Sequence, residues 1–112
     1  MHRAAADTSV FHAIADPTRR AILDVLREGE RSVNALLEGI ATTQSALSQH
    51  LAVLRRAGLV TFKKLGRLRV YAIDPEPLSE VADWVAYYEK FWTERLEALR
   101  EYLEKHEGEQ KR

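Results

Sequence analysis

Apolar side chains recur along this chain first with a helical period and then, for one stretch, with a period of two. Val10, Phe11 and Ile14 mark a short first helix that Asp7, Thr8 or Ser9 can cap, after a loose arm over residues 1–6. Asp16-Pro17 restarts the chain. The carboxylate accepts from the first free amides of a second helix, and the proline has no amide to lose. That helix carries Ile22, Leu23 and Leu26 and stops near Gly29, a residue suited to a left-handed C-cap. Ser32 caps a third helix with Val33, Leu36, Leu37 and Ile40 apolar, and Gly39 suits a tight exit from it. Thr42 or Thr43 opens a fourth, whose Leu47, Leu51 and Leu54 fall at i, i+4 and i+7 as a buried stripe that Gly58 ends.

Beyond Gly58 the run "LVTFKKLGRLRVYAI" places Val60, Phe62, Val70 and Tyr71 in alternation. It predicts two strands, about 59–64 and 68–73, joined by a turn at Leu65-Gly66-Arg67. Asp74-Pro75 closes this hairpin. Pro77 then opens a long last helix to about residue 105, with Leu78, Val81, Trp84, Val85, Tyr88, Phe91, Trp92, Leu96, Leu99, Tyr102 and Leu103 apolar. Residues 108–112 are expected to fray. No repeat and no low-complexity segment interrupts the order α-α-α-α-β-β-α.

The composition narrows the class. The chain has 112 residues, 46% of them hydrophobic and 30% charged, which fits one globular domain over residues 1–112 and excludes extensive disorder. There is no cysteine. Disulfide scaffolds, thiolate zinc sites, iron–sulfur clusters and a cysteine nucleophile are thereby ruled out. No stretch has the length of a signal peptide's apolar core or of a membrane span, so a cytoplasmic protein without a membrane partner is expected. Nucleotide-binding loops, nucleophile elbows and His-Glu-x-x-His strings are absent, and the chain does not read as an enzyme.

Charge is what turns this pattern into a function. Lys+Arg and Asp+Glu each number 17, but they are segregated. Residues 41–73 contain Arg55, Arg56, Lys63, Lys64, Arg67 and Arg69 and no carboxylate, whereas residues 74–112 hold six basic and eleven acidic side chains. A stretch of that kind is the footprint of a polyanion partner. Two helices joined by a few residues form a helix-turn-helix, whose second helix enters the DNA major groove, and a basic hairpin directly after it is a wing. The helix over 43–57 presents Thr43, Gln44, Ser45, Ser48, Gln49 and His50, uncharged groups suited to base edges. Arg55 and Arg56 follow where phosphates flank the groove. In the wing, 59–73, Lys63, Lys64, Arg67 and Arg69 suit the backbone or the minor groove.

The strings "DPTRRAILDVL", "SALSQHLAVLRRAGLV" and "GRLRVYAI" closely resemble the ArsR/SmtB family of bacterial winged-helix repressors, over about residues 8–105. The resemblance implies a mainly α fold with a β-hairpin wing, operator binding as a homodimer, release by an inducer, and dimerisation through the first and last helices. The inducer itself is not legible. Aromatic and apolar residues suit such an interface, here Val10, Phe11, Trp84, Tyr88, Phe91, Trp92, Leu96 and Leu99 over a dimerisation helix at 77–105. Founding members bind thiophilic metals through cysteines at the third helix; here that region reads "RSVNALLEGI". A second family metal site survives only as His106 and Glu109, so neither a metal nor another cofactor is expected. His12 with His106 and Asp7 or Glu109 is the one set that could be assembled. Two other readings stay open: a winged-helix protein–protein adaptor, and a repressor that senses metal through histidine and carboxylate. Arg19 and Arg20, at a helix start where cations are disfavoured, are expected to pair with Asp16 or Asp24. The bacterial nucleoid is the expected location.

Overall fold

Each of the first four helices starts on a side chain that accepts from its free amides. The computed structural model describes residues 9–110, with side chains through Glu107. Ser9 caps α1 (Val10–Ile14), Asp16 caps α2 (Pro17–Arg27), Ser32 caps α3 (Val33–Gly39) and Thr43 caps α4 (Gln44–Arg56). Asp7, the other capping residue considered for α1 along with Thr8, lies outside the described residues. The chain divides into two compact units, one through Val81 and the other from Ala82 onward.

In the first unit the leucine stripe of α4 closes the core. Leu47 and Leu54 are fully buried together with Ile22, Leu26, Leu36 and Leu59. The strands are β2 (Val60–Leu65) and β3 (Leu68–Ile73), antiparallel, with Phe62 opposite Tyr71 and Leu65 opposite Leu68. Only Gly66 and Arg67 connect them. Gly66 sits at φ 63°, and a primed two-residue hairpin turn needs a positive φ at its first position, which glycine takes without strain. Gly58, at φ 79°, ends α4, and a Cβ there would also meet the Pro77 ring at 3.4 Å. Leu59 fastens the base of the hairpin: its amide bonds to the Leu54 carbonyl at 2.9 Å, and its carbonyl accepts from Asp74 at 2.8 Å.

The structure departs from the sequence reading in three places. Arg31 and Ser32 form a short strand, β1, paired antiparallel with Tyr71 and Val70, so the sheet has three strands in the order β1-β3-β2. Two residues are too few to show a period. Gly39 does not make a left-handed exit; Ile40 takes the C-cap with extended backbone and turns its side chain into the core. The last helix, α5 (Leu78–Gln110), continues past the point where fraying was expected.

Candidate nucleic-acid interface

Helices α3 and α4 are linked by residues 40–43. One side of α4 is buried through Leu47, Leu51 and Leu54, and the opposite side exposes Gln44, Ser45, Ser48 and Gln49. None of these four side chains is engaged in a hydrogen bond among the described residues, so their donors and acceptors are available. Thr43 is already committed: its hydroxyl accepts from the Ala46 amide at 3.0 Å. Arg55 and Arg56 occupy the last turn of α4 and are exposed.

His50 is half-buried and holds α4 against the start of α2. Arg19 Nη1 lies 3.2 Å from His50 Nδ1. A guanidinium only donates, so in this contact Nδ1 is the acceptor. Arg19 also donates through Nε to the Ala13 carbonyl at 2.8 Å, and Arg20 donates to the Ile14 carbonyl at 2.8 Å. The two arginines therefore serve carbonyls in the last turn of α1, where a helix runs out of amides of its own. Pairing with Asp24 is not their role.

Asp16 Oδ2 accepts from the Arg19 amide at 3.0 Å and lies 3.9 Å from His50 Nδ1. The Arg19 amide hydrogen bond, opposed by partial burial and helped by the nearby His50 and then by Arg19, lowers its pKa below the ordinary 3.8. A depressed carboxylate stabilises the fold above its unfolded pKa and loses that contribution as pH falls through the folded value. Asp16→Asn keeps the cap but cannot titrate. Its thermal midpoint should fall less than that of the wild type between about pH 4 and pH 2, the usual range for carboxylates. Parallel acid profiles for the two proteins would contradict this.

The hairpin divides its cations between two faces. Lys63 lies 3.6 Å from Glu30 and is partly neutralised there. Lys64, Arg67 and Arg69 are exposed and have no carboxylate partner among the described residues. Asn34, Gln44, Ser48, Arg67, Leu68 and Arg69 line a cleft of about 300 Å³. Asn34 was missed in the sequence, where only its place as a polar position on a short helix marks it.

The expected interface residues separate into two groups. Val10 is 4% exposed within its own core and has almost no surface left for a partner, while Phe11 is half-buried. In the second unit, Trp84, Tyr88, Phe91, Trp92, Leu96 and Leu99 all lie open on α5, Phe91 at 61% exposure. Arg95 joins Tyr88, Phe91 and Trp92 around a shallow concavity. His106 stacks on Tyr102, with Nδ1 3.0 Å from the Tyr102 carbonyl. Among the described residues no three His, Asp or Glu side chains come together as a metal site. No described helix is long and apolar enough to cross a membrane.

A helix-turn-helix whose second helix exposes neutral polar side chains, with a three-stranded sheet whose hairpin carries cations lacking a carboxylate partner among the described residues, defines a winged helix-turn-helix DNA-binding protein. A helix-turn-helix domain family matches residues 14–61. The chain is 38% identical over 86 residues to the HTH-type transcriptional regulator Rv2034 of Mycobacterium tuberculosis, covering 77% of this chain and 78% of that one. It is 31% identical over 77 residues to the transcriptional repressor SdpR of Bacillus subtilis, covering 69% and 86%. An ArsR-like transcriptional regulator from Rhodococcus sp. RHA1 superposes with a TM-score of 0.67 at 30% identity, covering 85% of this chain and 87% of that structure. The chain belongs to the ArsR/SmtB family of winged helix-turn-helix transcriptional regulators, which are DNA-binding proteins and not enzymes.

Proposed function

We propose that this protein is a homodimeric repressor that binds an inverted-repeat operator in double-stranded DNA in the bacterial cytoplasm. The observation that carries the reading is the open face of α4. Gln44, Ser45, Ser48 and Gln49 are exposed, uncharged and free of side-chain hydrogen bonds among the described residues, and Arg55 and Arg56 follow at the end of the same helix. A helix that only met solvent would gain more from Glu and Lys there, whereas Gln can pair bidentately with adenine and Ser can donate to or accept from several base edges. The name of SdpR, a repressor, supports the direction of control. The apolar face of α5 supports the dimer, since an exposed stripe of that size is an interface feature.

Base reading and backbone holding separate by mutation. Gln49→Ala should relax base preference, with about 1–3 kcal/mol of discrimination lost at the position it reads. Lys64→Ala should weaken binding to all duplexes about equally and make the salt dependence shallower by roughly one unit per lost phosphate contact. Fluorescence anisotropy with matched operator and random duplexes measures both. A Lys64→Ala protein with altered sequence preference, beside a Gln49→Ala protein with none, would refute the assignment.

A further inference from the structure

Two guanidinium groups meet on one aromatic ring at the junction of α4 and the wing. Arg55 lies 4.4 Å from the centroid of Phe62 and Arg69 lies 5.2 Å from it. Both distances are inside the ~6 Å over which a ring face attracts a cation. Phe62 is itself held in place by Tyr71, a buried core residue whose ring stacks on it at 5.3 Å.

This arrangement has a cost within the folded chain. Two like charges drawn to one ring repel each other, and β2 adds a third by placing Lys64 directly opposite Arg69 in the strand register. Opposed like charges weaken a sheet. Among the described residues none of the three has a carboxylate to offset it. An anion set against them would turn the repulsion into binding.

The duplex supplies that anion at a defined place. Its major and minor grooves are separated by one sugar–phosphate strand, so a helix in one groove and a hairpin on the next must straddle that strand. The cleft between α4 and the wing is where it would pass. Arg69 belongs both to this cleft and to the Phe62 cluster. Across from it, Asn34 on α3 is exposed and makes no hydrogen bond among the described residues.

We propose that Phe62 is a positioning residue for DNA: its ring holds Arg55 of the recognition helix and Arg69 of the wing as a two-cation clamp on the backbone strand between them, and Asn34 adds a neutral donor from the far wall. The clamp rests on the reading of this protein as a DNA-binding repressor, and it deepens that reading by naming the backbone seat.

The test measures binding of the full chain to its selected operator and to a random duplex across a salt series. Phe62→Leu keeps an apolar side chain and removes the ring. Affinity for both duplexes should fall together by roughly tenfold, the size expected when one cation–ring contact per protomer or more is lost. The log–log salt slope should become shallower by about two units, one released phosphate contact per protomer. Phe62→Tyr should restore affinity and slope. Base preference should not change in either variant. Wild-type affinity and slope in Phe62→Leu would overturn the clamp, as would lost affinity at an unchanged slope, the mark of a purely structural role. If circular dichroism shows that Phe62→Leu does not fold, Arg55→Gln and Arg69→Gln decide, since both side chains are exposed. Each should make the slope shallower by about two units, and a wild-type slope in either overturns the clamp. A wild-type protein that binds no duplex at any salt would refute the repressor reading itself, an outcome distinct from failure of the clamp alone.

Discussion

A duplex with five extra base pairs between its half-sites should lose most of its binding advantage over unrelated DNA. An isologous dimer presents two equivalent recognition helices related by a two-fold axis, so its operator mirrors that axis. Both helices reach the major groove from one side only when half-site centres are about one helical turn, or a multiple of it, apart. Five base pairs is about half a turn of the duplex and carries one half-site to the opposite face. The dimer then keeps one set of base contacts at most. Specific binding by regulators of this kind exceeds non-specific binding by about 10³-fold or more, and most of that margin should disappear. Ten inserted base pairs restore the phase and should recover part of the affinity. A footprint over a single half-site, indifferent to the insertion, would show that the protein binds as a monomer.

Trp92→Ala should raise the dimer dissociation constant by roughly a hundredfold, corresponding to about 3 kcal/mol for truncating a large aromatic side chain in a packed interface. Trp92 is about half exposed in the protomer, on the same open side of α5 as Tyr88 and Phe91, with which it lines one concavity. It lies outside the core that closes around Leu47 and Leu54. Its loss should therefore weaken association and leave the first unit folded. Sedimentation equilibrium measures the constant, and circular dichroism checks the fold. Wild-type protein that is monomeric at low micromolar concentration would contradict the interface.

Much of the fold was legible because local rules and burial agree. Asp16-Pro17, Ser32 and Thr43 each stand before an apolar pattern of helical period, and each is the cap in the structure. The switch to alternation after Gly58 located the hairpin, whose turn at Gly66 needs the φ that glycine provides. What was hidden depends on tertiary neighbours. Strand β1 exists because Arg31 and Ser32 meet Tyr71 and Val70, far along the chain. Arg19 and Arg20 looked like partners for carboxylates, yet their guanidinium groups bond to carbonyls at the end of α1. Of the candidate site, the recognition face was readable as a run of neutral side chains at one helical spacing. The meeting of Arg55 and Arg69 was not, because it joins two elements through a ring that the alternation marks only as apolar.

Selection of bound sequences from a pool of random duplexes tests the central claim most directly. The wild-type protein should enrich an inverted repeat of two equivalent half-sites, and Gln49→Ala should blur the preference at matching positions in both halves. A pool that emerges from wild-type selection with no enriched sequence, retained only at low salt, would contradict the account of α4 as a reader of bases.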